Sequence, residues 1–336
     1  MKPTLLVSNK VINEFGPRLH EILAAAPRQF ELLPFTPTLQ LTPAQTGQIE
    51  AAYYSRDIWE GTEKSVLSPA AQAFWNIIDR AQSLKWMAVY SAGMDQKRYV
   101  DTLKRGVRLT SSAGAQAEAV GLACVTGVLA LARGVPHWLG AQQRHEWAPL
   151  RGKDVPPDIP GQTAVVVGTG YIGSVIARVL QAAGMKTIGV RRNVAPAAYF
   201  DQMQPPAALD SLLPTCDWLV LACPLVPETR NLIDARRLAL MKPTAGLANI
   251  ARGEIIDEVA LVDALKAGRL GHAYLDVFHT EPLPSDSPLW ALPNVLISPH
   301  NAGASTGTYA RGVDIFMRNL ACYLDGQALS NEATLT

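Results

Sequence analysis

The segment Val165-Val166-Val167-Gly168-Thr169-Gly170-Tyr171-Ile172-Gly173 constrains this chain more than any other. A short β-branched run meets three glycines at fixed spacing. A helical pattern then places Ile172, Val175, Ile176, Val179 and Leu180 on one face. Glycine spacing alone is weak evidence; the strand before it and the helix after it make it specific. Gly168 permits a tight turn, Gly170 lets the backbone approach a pyrophosphate, and Gly173 lets helix and strand pack closely. The helix N-terminus then offers free N–H groups and a partial positive charge to the phosphates. The segment therefore predicts a doubly wound domain that binds a dinucleotide.

The type of dinucleotide is read further along. The strand Lys186-Thr187-Ile188-Gly189-Val190 ends where NAD enzymes place an acidic residue on the ribose 2′-hydroxyl, about 20 residues past the glycines. Arg191, Arg192 and Asn193 stand there instead. A carboxylate would repel a 2′-phosphate, whereas a guanidinium can bind it through two hydrogen bonds. NADP(H) is favoured, with NAD(H) the alternative. The expected contacts are Gly168, Thr169, Gly170, Tyr171, Ile172 and Gly173 with Arg191, Arg192 and Asn193.

Strand–helix alternation extends on both sides. Thr163–Val167, Thr187–Val190, Trp218–Ala222, Ala245–Asn249, Ala273–Asp276 and Val295–Ser298 are short apolar runs, as expected for strands buried on both faces. Asp257 and Gly268 bracket one helix as N-cap and stop. Upstream, Leu5–Ser8, Phe30–Pro34, Glu50–Tyr54, Trp86–Tyr90 and Val107–Thr110 read as strands of a smaller parallel α/β unit. A helix is expected from about 115 to 134, a proline-bearing linker from 147 to 161, and a last helix from 304 to 324. The reading is a dinucleotide-binding Rossmann domain at 111–302 and a second domain, 1–110 plus 303–336, for the substrate.

Composition narrows the partners. A chain of 336 residues with 48% hydrophobic and 18% charged residues suits about two folded domains. Its net charge of +1 gives no reason to expect nucleic acid or an anionic membrane. The apolar run after Met1 is too short for a signal peptide, and Ala119–Ala132 falls short of the roughly 20 residues that span a bilayer. Cys124, Cys216, Cys223 and Cys322 form no C-x-x-C pair. A cytoplasmic protein with reduced cysteines and no metal site is expected.

In an open parallel sheet, ligands bind beyond the carboxyl ends of the strands. Three of those ends carry reactive groups: Arg252 in NIARGEIID, Asp276 and Glu281 in DVFHTEPLP, and His300 in ISPHNAG. Arg252 would bind a substrate carboxylate and polarise the neighbouring carbonyl. His300 would give a proton to the carbonyl oxygen as hydride arrives from the nicotinamide, and Glu281 would hold the imidazole in place. That set suits reduction of a 2-keto acid. Each residue also has a plain structural reading: a buried histidine, a surface ion-pair partner, a loop carboxylate. His279 lies close to these motifs, whereas His20, His137, His145 and His272 have no supporting context.

With these motifs the sequence resembles the D-isomer-specific 2-hydroxyacid dehydrogenases. GTGYIG at 168–173 is similar to the family's cofactor loop, CPLVPETRNLID from Cys223 to its PL-x-x-x-T segment, and NIARGEIIDEVAL from Asn249 to its arginine motif. AYLDVFHTEPLP from Ala273 and SPHNAG from Ser298 resemble its glutamate and histidine motifs. The resemblance implies that Arg252, Glu281 and His300 are catalytic and that Asp276 binds the nicotinamide carboxamide. It adds Cys223, Pro224, Thr229 and Ile250 to the cofactor contacts. SAGMD at 91–95 is similar to a loop whose amides, around Ala92 and Gly93, would hold the substrate carboxylate beside Arg252 and His300. The family architecture is two Rossmann-like or flavodoxin-like domains with parallel sheets and the active site in the interdomain cleft, usually as a homodimer. The helix after Ala117-Glu118 would line the dimer interface.

Two departures bear on specificity. Arg191 replaces the acidic residue of the NAD-dependent members, as in NADPH-preferring glyoxylate and hydroxypyruvate reductases. The stretch Tyr53, Tyr54, Arg56 and Trp59 follows no assignable substrate pattern and is expected to line the substrate side. The resulting expectation is NAD(P)H-dependent reduction of a glyoxylate- or hydroxypyruvate-like acid to its D-2-hydroxy acid. Alternatives are an NAD-dependent enzyme for a bulkier acid, or a dinucleotide-sensing corepressor-like scaffold. Glu281 argues against a formate dehydrogenase, which pairs its histidine with glutamine, and the chain length against the extra regulatory domain usual in phosphoglycerate dehydrogenases.

Overall fold

A computed structural model describes residues 2–61 and 66–334. The chain falls into two compact units, Met1–Gln116 with Ser305–Thr336, and Ala117–Ala304.

The first unit is built on five strands: β1 (Thr4–Ser8), β2 (Glu31–Phe35), β3 (Ile49–Tyr54), β4 (Trp86–Val89) and β5 (Arg108–Ser111). They pair in the order β2-β1-β3-β4-β5, all parallel. Order reverses between β1 and β3, the switch point of a flavodoxin-like sheet. Alternate residues feed two cores. Leu5, Val7 and Trp86 pack on one face with Phe316, Met317 and Leu320 of the helix Thr308–Leu324. Leu6, Met87 and Leu109 pack on the other with Phe74, Trp75 and Ile78 of the helix Pro69–Arg80. Two serines start helices here: Ser8 Oγ accepts from Val11 N, and Ser68 Oγ from Ala71 N.

The second unit carries seven strands: β6 (Thr163–Val167), β7 (Lys186–Val190), β8 (Gln202–Gln204), β9 (Trp218–Leu221), β10 (Gly246–Asn249), β11 (His272–Leu275) and β12 (Val295–Ile297). The order is β12-β11-β10-β9-β6-β7-β8, again parallel throughout. This is the doubly wound order with one strand added, and its switch point lies between β6 and β9. Val165, Leu219 and Leu247 point into one core, and Ala164, Val166 and Val220 into the other. The helix Ala117–Ala132 supplies Cys124, Val125 and Val128 to the second core. A chain apolar on nearly every side is a buried helix, as its sequence predicts.

β8, the helix Val135–Gln143 and the short helix Ala235–Leu240 are among the elements that lie outside the strand and helix expectations. Among the described residues no single helix is long and apolar enough to cross a membrane. All four cysteines are free.

Candidate active site

The glycine turn sits at the β6 end of the switch point. Gly168 has φ +96°, and a Cβ there would lie 2.5 Å from the Ala222 carbonyl oxygen. A Cβ on Gly173 would lie 2.0 Å from the Gly168 carbonyl oxygen, so the helix Tyr171–Ala182 starts hard against the turn. On its other side the loop is open: a Cβ on Gly170 would meet nothing within 4 Å. Thr169 is buried, and its Oγ1 has no hydrogen-bond partner among the described residues. A backbone cradle open on one side, beside a helix N-terminus and an unsatisfied hydroxyl, fits a pyrophosphate. Tyr171 is exposed, whereas Ile172 packs against the core beneath.

At the carboxyl end of β7 the loop braces itself. Arg191 donates from Nε to the Asn193 carbonyl and from Nη2 to the Ala195 carbonyl at 2.8 Å. Asn193 Oδ1 accepts from Ala195 N at 3.0 Å. Arg192 is exposed and stands 3.7 Å from Glu228. Beyond β9, Cys223 is buried and its thiol is pushed up to about 11 by desolvation, which keeps it protonated. Pro224 is exposed at this turn. The Thr229 hydroxyl accepts from Val226 N at 2.8 Å and donates to the Pro224 carbonyl at 2.7 Å, so it shapes the loop. Ile250, just past β10, is buried.

The reactive residues leave three neighbouring strands at one level. β10, β11 and β12 pair with Asn249 opposite Leu275 and Leu275 opposite Ile297. Arg252, Asp276 and His300 each follow within three residues of that row. Asp276 is the hub of the last turn. Its Oδ1 accepts from Ser298 Oγ at 2.5 Å, Asn301 N at 2.9 Å and Ala302 N at 3.0 Å. Its carbonyl accepts from His300 N at 2.7 Å. These bonds hold His300 at φ +49°, a conformation that non-glycine residues rarely adopt.

The held ring meets a carboxylate. His300 Nδ1 lies 2.8 Å from Glu281 Oε2, while Glu281 Oε1 accepts from Phe278 N at 3.0 Å. Glu281 is mostly buried and the His300 side chain is half exposed. Nε2 has no hydrogen-bond partner among the described residues. Arg252 is partly buried; its carbonyl accepts from Asn249 Nδ2 at 2.9 Å and its Nη1 donates to the Ala251 carbonyl at 2.7 Å.

The other histidines sit elsewhere. His279 is exposed and its N–H bonds Glu258. His20 and His137 bond backbone carbonyls, and His272 lies at the amino end of β11, stacked on Trp218. In the first unit, the loop after β4 keeps Ala92 and Gly93 partly buried, with Ser91 Oγ donating to the Gly93 carbonyl at 3.0 Å. One expectation needs correction there. Tyr53 and Tyr54 do not line an accessible surface: they are 0% and 1% exposed, Tyr53 stacked on Phe316 and Tyr54 tilted against Phe74. Their rings are large apolar bodies on the central strand, and the core takes them. The hub formed by Asp276 and Ser298 was not anticipated. A carboxylate ending a buried strand, with no cation near it in sequence, was the available signal.

A glycine turn at the switch point of a doubly wound sheet, with a histidine–carboxylate pair beyond β11 and β12 of the same sheet, defines a dinucleotide-dependent oxidoreductase. Comparison narrows the class. Residues 125–302 match the D-isomer specific 2-hydroxyacid dehydrogenase, NAD binding domain. The chain is 34% identical to a glyoxylate reductase of Thermococcus gammatolerans over 257 residues, 75% of this chain and 76% of that one. A D-isomer specific 2-hydroxyacid dehydrogenase family protein from Aeromonas salmonicida superposes with TM-score 0.79 at 29% identity, covering 99% of both chains. A D-isomer specific 2-hydroxyacid dehydrogenase from Xanthobacter autotrophicus Py2, solved with NADPH and MES, gives TM-score 0.74 at 25% identity, over 99% of this chain and 98% of that one. The chain belongs to the D-isomer-specific 2-hydroxyacid dehydrogenase family.

Proposed function

We propose that this protein reduces small 2-keto acids to D-2-hydroxy acids with NADPH, and that Arg252, Glu281 and His300 are its catalytic residues. The unit Ala117–Ala304 would hold the dinucleotide and the other unit the substrate. The observation that carries the reading is the His300–Glu281 pair at 2.8 Å, which leaves Nε2 without a hydrogen-bond partner among the described residues. When bound, the reduced cofactor supplies a hydride equivalent to the substrate carbonyl carbon. His300 gives the proton from Nε2 to the carbonyl oxygen, and Glu281 fixes the ring through Nδ1. Arg252 binds the substrate carboxylate and draws charge toward the carbonyl oxygen, with the amides around Ala92 and Gly93 as a second hold. Asp276, through the turn it ties, sets the depth at which His300 stands, and would meet the carboxamide end of the cofactor.

The choice of NADPH rests on Arg191 and Arg192 at the end of β7, where no carboxylate occupies 191–195. The relative from Xanthobacter autotrophicus Py2 was solved with NADPH, and the relative from Thermococcus gammatolerans is a glyoxylate reductase. We read the exposed Leu122, Trp138, Leu139 and Trp147 as a homodimer face, and the free cysteines as suited to the cytoplasm.

The test is NADPH oxidation with glyoxylate and hydroxypyruvate, run in parallel with NADH. Turnover should fall by about 10²–10⁴-fold in His300→Ala, the usual contribution of a positioned acid. A protein that binds NADPH but turns over neither acid would overturn the reading, and a preference for NADH would overturn its cofactor half.

A further inference from the structure

Behind the turn that carries His300, a line of side-chain hydrogen bonds runs back into the core of the unit Ala117–Ala304. Tyr274, on β11, is 6% exposed and packs in one cluster with Cys124, Val128 and Ala248. Its ring fits because Gly127 of the helix Ala117–Ala132 has no side chain: a Cβ there would lie 2.4 Å from the ring. The Tyr274 hydroxyl lies 2.9 Å from Ser298 Oγ, and Ser298 Oγ donates to Asp276 Oδ1 at 2.5 Å. Serine has a single hydroxyl proton, and the carboxylate takes it. Tyr274 is therefore the donor to Ser298, and the line has one direction, from Tyr274 through Ser298 to Asp276. Desolvation pushes the phenol up to about 12, so it keeps the proton that this direction requires.

Asp276 Oδ1 also accepts from Asn301 N at 2.9 Å and Ala302 N at 3.0 Å. Those amides belong to the turn and travel with it. Ser298 is anchored: its N–H bonds the Leu275 carbonyl at 3.0 Å, and its hydroxyl is backed by a ring wedged in the core. Of the three donors to Oδ1, it is the one that ties the carboxylate to the sheet. The Asp276 carbonyl in turn accepts from His300 N at 2.7 Å, with the Ser298 carbonyl 3.0 Å from the same N–H. A histidine at φ +49° keeps that conformation only while its surroundings enforce it.

We propose that Ser298 and Tyr274 are positioning residues for the reaction: they fix the Asp276 carboxylate and, through it, the place of the His300 imidazole. This rests on the reductase reading above and adds to it two residues whose effect passes through Asp276. Displacing an acid by about 1 Å can cost about 10²-fold in rate, so a slight loosening of the turn is readable in kcat.

The test is steady-state kinetics with NADPH and glyoxylate on Ser298→Ala, Ser298→Thr, Tyr274→Phe and the double variant, with Tm beside each. Ser298→Ala should lower kcat about 10- to 100-fold while the KM for glyoxylate stays within about twofold. Ser298→Thr keeps the hydroxyl and should restore most of the rate. Tyr274→Phe loses a neutral hydrogen bond and should cost about 2- to 10-fold in kcat. It keeps the ring against Gly127, so it carries the test if Ser298→Ala fails to fold. Because Tyr274 acts through Ser298, the double variant should be no slower than Ser298→Ala, whereas independent roles would multiply. A lower Tm with kcat unchanged, or two losses that multiply, overturns the proposal. A second measurement does not depend on turnover. Imidazole nitrogen NMR spectra, with the His300 signals identified by their loss in His300→Gln, should move in Ser298→Ala and return in Ser298→Thr. Unmoved His300 signals overturn the positioning role whatever the rates. A wild-type protein that turns over neither glyoxylate nor hydroxypyruvate sinks the reductase reading, and the spectra alone then decide the positioning.

Discussion

Glu281 accepts from Phe278 N through one oxygen and faces His300 Nδ1 with the other. A glutamine can accept at only one of those places. If its carbonyl stays with Phe278 N, its NH2 faces Nδ1 and opposes a proton there, so the charged ring is disfavoured. Glu281→Gln should therefore lower kcat by about 10²-fold with a much smaller change in KM, because the loss falls on the proton-transfer step. Steady-state kinetics check this, and a change confined to KM would contradict it. His272 shows the opposite situation, a titratable ring without a job. It is stacked on Trp218, its Nδ1 is buried without a partner among the described residues, and desolvation holds it below the ordinary histidine range. In the pH window from about 6.5 down to that lowered value, the unfolded chain binds a proton that the folded chain refuses. Stability is thus unaffected above about 6.5 and falls as the pH drops through the window. His272→Phe keeps the stack and removes the proton, so its Tm advantage over wild type should grow from pH 7.5 to pH 5.

At the scale of elements, what could be read from the chain follows from burial. Strands such as β6, β9 and β10 are covered on both faces, so their sequences are mostly apolar runs. β8 (QMQ) is a partly exposed edge, and the helix Val135–Gln143 buries only Ala141, so neither has a period to read. The residues of the His300–Glu281 pair were legible as motifs. The backbone donors that aim them, Phe278 N, Asn301 N and Ala302 N, were not, because a main-chain N–H leaves no mark on a sequence. Tyr53 and Tyr54 misled because their place at the end of the third strand suggested the substrate side, whereas both rings complete a core. The glycine turn is the element on which sequence and structure agree most closely, and it sets its own test. Gly173→Ala puts a methyl 2.0 Å from the Gly168 carbonyl, where neither strand nor helix has slack. The variant should lose about 1–3 kcal/mol of stability. It should also bind NADPH at least several-fold more weakly in a fluorescence titration, since the helix N-terminus must back away from the phosphates.

For the molecule as a whole, the course of the chain decides what can fold alone. Ala117–Ala304 is continuous and owns both cores of its sheet, including the one completed by the helix Ala117–Ala132. The other unit is discontinuous. Its sheet has one face covered by Phe316, Met317 and Leu320, which arrive only after the entire second unit has been made. A fragment of residues 117–304 should therefore unfold in one cooperative transition. NADPH at 100 times its dissociation constant should stabilise it by about 2.7 kcal/mol, as binding to the folded state alone requires. A fragment of residues 1–116 should fail to fold, because those large side chains cannot be replaced by water on a parallel sheet. Supplying residues 305–336 as a separate peptide should restore its near-ultraviolet circular dichroism, since the helix Thr308–Leu324 brings the missing face without a covalent link. If 1–116 folded unaided, β1, β3 and β4 would be stable with one apolar face open, and the layered account of this unit would be wrong. The asymmetry also orders synthesis: the unit proposed to hold the dinucleotide can close as soon as Ala304 has been made, and the one proposed to hold the substrate only when the last helix is complete.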